Sequence, residues 1–251
     1  MNELLLDFCQ DADRVLDLLR VIEDVQKGEA HIEHQVAVGT DDVREINHAD
    51  FLLFPGGLLL YMAGRFEYFV RSSFAELAED VATGRGSWSA LPEQMQSALV
   101  RLTSAAMSRR RGQPIGDLRR MVSILNENLS NESVSEINSE LLSHTDRNLR
   151  PREMSDLFKR IGAGKLWERV GSKATIMEFF ETGDASFAER SAQARLNAIM
   201  EARNSVAHPR KDVTWPSVSM SSNHIAFLKA LADALSECIE DYRDQLIPGR
   251  D

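Results

Sequence analysis

The amino-acid sequence predicts an all-α fold, and three observations support this prediction. Apolar residues recur three and four positions apart in several long segments, the spacing that gives a helix one buried face. Strand-type alternation is confined to two short runs, 36–38 and 213–218. Hydrophobic residues make up 43% of the 251 residues and charged residues 27%, so the chain can bury a substantial core.

Four long helices account for most of this pattern, and we predict them near residues 3–27, 57–82, 185–205 and 221–247. The second stops where Gly84-Arg85-Gly86 interrupts the periodicity. The last has the most regular stripe, with steps of three and four throughout: Ile225, Leu228, Ala232, Leu235, Ile239, Tyr242 and Leu246. Four such stripes predict a helical bundle.

Shorter helices are predicted between the second and third long ones, at 92–108, 115–129, 153–161 and 164–170. The stretch 126–152 is rich in Asn, Ser and Glu, which favours an exposed crossing or insertion. We therefore predict a single helical domain over 1–251, with 86–180 as an inserted helical subregion.

The net charge and the cysteine content limit the possible functions and the expected cellular location. The 29 Lys and Arg residues against 39 Asp and Glu give a net charge of −10, which argues against coating nucleic acid through bulk charge. Arginines nevertheless cluster at 109–111, at 119–120 and at 147–152, where they form either a local phosphate site or a solvated surface. Two cysteines, Cys9 and Cys238, cannot build a disulfide framework, so we expect a cytoplasmic protein.

Neither a membrane segment nor a metal site is predicted. The longest uncharged stretch, 51–64, is shorter than a span of roughly 20 apolar residues. His31, His34 and His48 are possible zinc ligands, but they lie in a polar connection without cysteine or a second ligand pair. We therefore expect no metal and no cofactor.

The segment 196–209 is the most informative part of the chain. Arg203 lies at helical spacing from Leu196 and Ile199, so it continues the apolar stripe and needs an anionic or carbonyl partner. Asn204 and His208 are four residues apart and therefore adjacent on a helix. Because a proline follows His208, the histidine is expected at the helix end, near solvent.

These three residue types suit phosphodiester chemistry. An arginine can hold phosphate oxygens through two parallel contacts and stabilise the charge that grows on them. A histidine, with an ordinary pKa of about 6.5, can transfer a proton at neutral pH. An asparagine can orient the imidazole or a ribose, and RNA supplies its own nucleophile, the 2′-hydroxyl. The alternative is a helix end at which basic residues balance the helix dipole.

The spacing Arg203-Asn204-x-x-x-His208 resembles the signature of HEPN domains, in which arginine and a polar residue precede three variable residues and a histidine. Leu58–Val70 resembles the long second helix of HEPN proteins from bacterial conflict systems. Leu157-Phe158 and 162–167 resemble the region between helices in the RiboL-PSP or MAE-type branch. The resemblance implies a helical bundle that dimerises with its two motifs face to face.

The resemblance also implies an activity, since many HEPN proteins are metal-independent endoribonucleases that act as toxins, antiphage effectors or RNA-processing enzymes. Our leading prediction is such an endoribonuclease, with Arg203, Asn204 and His208 as catalytic residues, RNA as substrate and a homodimer as the active form. An antitoxin or defence-system protein is a possible partner. The alternatives are a non-catalytic HEPN module that binds RNA, a nucleotide or a protein, and a purely structural helical dimer.

Glu67 is a possible supporting residue. Its helical neighbours Leu60, Ala63, Val70 and Phe74 are apolar, and a carboxylate in such a row needs a cationic or hydrogen-bonding partner. Arg203 is one candidate partner, which would make Glu67 an orienting acid beside the catalytic arginine. A structural ion pair or a residue at the rim of the core is the alternative.

Overall fold

The computed structural model describes residues 3–33, 53–108, 115–208, 215–247 and 249. These residues form α-helices that we number along the chain: α1 (Glu3–Glu33), α2 (Leu53–Arg85), α3 (Glu93–Ser108), α4 (Ile115–Asn131), α5 (Ser139–Ser143), α6 (Pro151–Lys159), α7 (Leu166–Ser172), α8 (Ala174–Phe179), α9 (Ala185–Ala207) and α10 (Val218–Leu246). Within this part of the chain there is no strand, only one isolated bridge between Ser87 and Ser133. The all-α prediction is confirmed.

The four predicted long helices are α1, α2, α9 and α10, and they form the centre of the molecule. α2 packs against α10, α1 and α9, and α1 also packs against α10. Aromatic rings fill the space between α1 and α2, where Phe8 contacts both Phe66 and Phe69. Burial of such large apolar side chains is the main favourable term in folding.

The short helices between α2 and α9 join the same core. α5 packs on α2, and α7 packs on α9. Phe158 of α6 lies between Phe74 of α2 and Tyr242 of α10, with ring centroids 5.5 and 5.9 Å away. This packing brings the chain between α5 and α6 close to the middle of α2 and the end of α9. The division into one domain with an insertion at 86–180 stays a prediction.

The exposed crossing expected at 126–152 is confirmed only in part. Many of its residues are exposed, but helix α4 continues to Asn131 and several side chains of this stretch are buried, among them Asn128, Val134, Ile137, Leu142 and Leu149. Their burial is possible because the polar groups between them are hydrogen-bonded: Asn128 Nδ2 donates to the carbonyl of Glu136 at 2.8 Å. The connection therefore combines exposed polar residues with buried residues whose polar groups are hydrogen-bonded.

The start of α2 fits tightly against the end of α9. A Cβ on Gly56 would lie 2.7 Å from Cε3 of Trp215 and 3.2 Å from Cγ2 of Val206, so only glycine allows this approach.

Of the two predicted strand-like runs, 36–38 lies outside the described residues, and the second ends in a helix that begins at Val218. No helix in the described ranges is long and apolar enough to cross a membrane.

Candidate active site at the end of helix α9

The predicted motif lies at the C-terminal end of α9, as the sequence indicates. The helix ends at Ala207, and the backbone N–H of His208 still donates to the carbonyl of Asn204 at 3.0 Å. His208 leaves the helical conformation with φ −131° and ψ 67°, and its side chain is exposed. The last turn is therefore intact, and it places the imidazole one turn beyond Asn204 and in contact with solvent.

Arg203 is partly buried, and its hydrogen bond goes to a neutral side chain. Its Nη1 donates to Oδ1 of Asn204 at 3.1 Å, and its Nε is buried without a hydrogen-bond partner. No carboxylate of the described residues forms an ion pair with this guanidinium. A cation removed from water is costly unless an anion or several acceptors compensate it, so this arginine is suited to accept an anionic ligand.

A second asparagine, Asn148, completes the polar cluster. Its Nδ2 donates to Oδ1 of Asn204 at 2.6 Å. Asn148 belongs to residues 144–150, which connect α5 to α6 and which we call the bridging segment. Asn204 Oδ1 therefore accepts two hydrogen bonds, one from the bridging segment and one from the neighbouring arginine.

Glu67 of α2 holds the bridging segment and does not pair with Arg203. Its Oε1 accepts the backbone N–H of Leu149 at 3.2 Å, and its Oε2 lies 3.8 Å from Nη2 of Arg71. Of the possible partners of Glu67, Arg203 forms no ion pair with it among the described residues, because Arg71 lies one helical turn further along α2 and on the same face. The alternative, a structural ion pair, describes this contact.

Further contacts fix both ends of the bridging segment. At its start, Arg71 Nη2 donates to Oγ1 of Thr145 at 2.8 Å, and Arg160 Nη1 donates to the carbonyl of His144, also at 2.8 Å. At its end, Leu149 is fully buried, and Arg150 Nη1 lies 3.3 Å from Oε1 of Glu201 on α9. The segment is thereby tied to α2, α6 and α9 at once.

Sequence reasoning missed Asn148, although one signal was present. Arg150-Pro151 marks a helix start, since proline is favoured in the first helical turn, and Leu149 immediately before it is buried. A buried leucine next to a helix start indicates a connection that packs on the core. Which side chain of that connection meets Asn204 depends on the tertiary structure and has no local signature.

Two arginines of the other clusters form surface ion pairs. Arg120 pairs with Glu136 at 2.6 Å, and Arg152 lies 3.7 Å from Asp156. Such exposed pairs contribute little and leave the charge solvated. The arginines at 109–111 lie outside the described residues. So do His34 and His48, two of the three histidines considered as possible zinc ligands.

The fold and the cluster together define a class: an all-α protein in which one long helix ends in a partly buried arginine, an asparagine and an exposed histidine. The model of the RiboL-PSP-HEPN family matches residues 23–241, which is most of the chain. The chain belongs to this family, as the resemblance predicted. No curated protein and no solved structure matches it. The family favours a nuclease or another RNA-related module.

Proposed function

We propose that this protein is a metal-independent endoribonuclease with Arg203, Asn204 and His208 as its catalytic residues. One observation carries the proposal: among the described residues, the hydrogen bond of a partly buried guanidinium goes to an amide oxygen and no carboxylate pairs with it, and an exposed imidazole lies at the end of the same helix. An arginine without a carboxylate can take a phosphate group, and a solvated histidine can exchange a proton at neutral pH.

The proposed reaction uses the nucleophile that RNA carries. The 2′-oxygen attacks the adjacent phosphorus, and a histidine accepts the proton of the hydroxyl group. Arg203 holds the non-bridging oxygens, on which charge grows. The bond between phosphorus and the 5′-oxygen then breaks, and the leaving oxygen takes a proton from a second acid. The products are a 2′,3′-cyclic phosphate and a 5′-hydroxyl, so no metal-activated water is required.

The need for a base and an acid supports a homodimer as the active form. One copy of the motif offers one histidine, whereas a two-fold axis beside the end of α9 would supply two histidines and two arginines. We expect light scattering at micromolar concentration to give the mass of a dimer. A monomer with full activity would contradict this part of the proposal.

The biological role that we propose follows from the activity. An endoribonuclease of this family is suited to act in the cytoplasm as a toxin or an antiphage effector, restrained by an antitoxin or another defence-system protein.

The proposal is tested by RNA cleavage in EDTA, with wild-type protein compared with His208→Ala. We expect the wild type to cleave and the variant to be slower by about 10²- to 10⁴-fold, the usual loss when a proton-transfer residue is removed. His144→Ala is the matched control, because His144 is also exposed and belongs to the bridging segment. RNA binding without cleavage by the wild type would replace the nuclease by a non-catalytic HEPN module.

A further inference from the structure

We infer that Asn148 is a positioning residue of the proposed ribonuclease site, one that fixes which end of the Asn204 amide faces the substrate. The inference rests on the proposed function and adds a residue outside the Arg203–His208 motif. The observation that carries it is the pair of donors on one oxygen: Nδ2 of Asn148 at 2.6 Å and Nη1 of Arg203 at 3.1 Å, both to Oδ1 of Asn204.

The two donors decide the orientation of the amide. A side-chain amide has an acceptor oxygen and a donor NH₂ group, and a rotation of 180° exchanges them. With both Asn148 Nδ2 and Arg203 Nη1 directed at the oxygen, the rotated amide would face two donors with its own NH₂ group. Asn204 is therefore held with its oxygen inward, and its N–H groups are left to donate to a ribose or phosphate oxygen.

Asn148 can do this because its backbone is fixed before substrate binds. The next residue, Leu149, is fully buried and donates its backbone N–H to Glu67, and the N–H of Arg150 donates to the carbonyl of Asn148 at 2.8 Å. A donor held in this way loses little entropy when the site orders around a substrate. Glu67 thus acts on the site through the bridging segment and Asn148.

Asn148 also keeps Arg203 available. An aspartate at position 148 would have the same shape but only acceptor oxygens. It would attract the guanidinium of Arg203 and receive a hydrogen bond from the rotated amide of Asn204. Both changes would occupy groups that the proposed reaction directs at the phosphate, so the replacement of one NH₂ group by an oxygen would impair the site.

The test measures kcat and KM for cleavage of a 5′-fluorescent single-stranded RNA of mixed sequence in EDTA. The variants are Asn148→Ala, Asn148→Asp, Asn204→Ala and the double variant Asn148→Ala/Asn204→Ala. Asn126→Ala is the matched control, because Asn126 is exposed on α4. Thermal unfolding of each variant separates loss of the site from loss of the fold.

We expect Asn148→Ala to lower kcat about five- to tenfold at unchanged KM and unchanged Tm, the effect of one hydrogen bond. Asn148→Asp should lower kcat about 10²-fold, because it also withdraws Arg203. The double variant should be no slower than Asn204→Ala, since Asn148 acts through Asn204. Should the aspartate variant fail to fold, the alanine variant and the double variant decide the outcome.

Two results would overturn the inference while leaving the nuclease in place: wild-type kcat in both Asn148 variants, or losses that multiply in the double variant. Multiplied losses would mean that Asn148 stabilises the region generally and does not act on Asn204. Absence of cleavage by the wild type would overturn the inference together with the proposed function. The two failures are distinguished by the activity of the wild-type protein alone.

Discussion

Arg203 and Arg243 are both shielded from water, one in part and one almost fully, and their surroundings differ. Arg243 of α10 is buried, its Nε lies 2.7 Å from Oδ2 of Asp80 on α2, and its Nη1 contacts Glu240. Arg203 of α9 is partly buried, and its contact is the neutral oxygen of Asn204. One guanidinium meets two carboxylates, and the other meets none in the part of the chain that the structure describes.

The difference separates a structural arginine from one suited to ligand binding. Buried charges in proteins are normally paired, since desolvation of an unpaired charge is expensive. At the end of α10 this requirement is met within the fold, by one carboxylate from α2 and one from the same helix. At the end of α9 the fold supplies only part of the compensation that the charge of Arg203 requires. A bound phosphate could therefore stabilise this guanidinium further.

The largest expected effect tests directly whether Arg203 serves ligand binding while Arg243 serves the fold. Arg203→Lys keeps the positive charge but loses the planar pair of donors, so RNA cleavage should fall by about 10²- to 10³-fold. Because Arg203 forms no ion pair within the described residues, the Tm should stay close to that of the wild type. Both quantities are measured on the same preparation.

Arg243→Lys is the control. We expect it to lower the Tm and to leave RNA cleavage at the wild-type level, the opposite of the result for Arg203→Lys. If Arg203→Lys instead melts the protein and His208→Ala cleaves normally, the motif is structural. In that case the comparison between the two arginines has no functional meaning.

The second prediction concerns stability. Arg243→Ala should lower the free energy of unfolding by about 1–2 kcal/mol, because it removes charge-assisted hydrogen bonds to the half-exposed Asp80 and Glu240. Arg203→Ala should cost less, and His208→Ala, at the exposed helix end, should cost least. Urea denaturation of the three variants gives this order. A larger loss for Arg203→Ala than for Arg243→Ala would contradict the comparison.

A buried histidine extends the comparison to a group that can lose its charge. His224 of α10 is 6% exposed, its Nδ1 has no hydrogen-bond partner, and burial together with the nearby charge of Arg195 lowers its pKa to about 4. In the unfolded chain the pKa returns to about 6.5, so between these values the unfolded state binds the extra proton. Stability should therefore fall as the pH drops from 6.5 towards 4.

The expected loss is on the order of 1 kcal/mol at pH 5.5 relative to pH 7.5. His224→Leu, which cannot be protonated, should show a weaker pH dependence of Tm over this range. An equally steep dependence in the variant would mean that other groups cause it.

The smallest expected effect is that of Glu67→Gln. Glutamine keeps an acceptor for the N–H of Leu149 and loses only the long ion pair with Arg71, so cleavage should stay within about twofold of the wild type. Glu93→Gln, on an exposed position of α3, is the control. A loss of about 10²-fold or more would make Glu67 an acid or base of the reaction and not an anchor of the bridging segment.

Local sequence pattern sufficed for the long helices, for a physical reason. The stripe of α10 buries Leu228, Leu235 and Tyr242 at helical spacing, and a helix with one continuous apolar face has a single favourable orientation on a core. The stretch 126–152 was predicted correctly only in part, because composition does not show whether a polar residue is solvated or hydrogen-bonded. Asn128 is polar and nevertheless 3% exposed.

The site was predictable only in part. Arg203, Asn204 and His208 lie within one short segment, so their spacing could be identified from the sequence and from its resemblance to HEPN domains. Asn148 reaches Asn204 across 56 residues of chain, and Glu67 holds Leu149 across 82. Such pairs depend on how α2, α6 and α9 pack, which no local pattern encodes.

The central proposal is that Arg203, Asn204 and His208 cleave RNA through its own 2′-hydroxyl. Mass spectrometry of the ends produced from single-stranded RNA by the wild-type protein in EDTA tests it most directly. We expect 2′,3′-cyclic phosphate and 5′-hydroxyl ends, with almost none from His208→Ala. A 3′-hydroxyl with a 5′-phosphate, cleavage that stops in EDTA, or equal product from His208→Ala would contradict it.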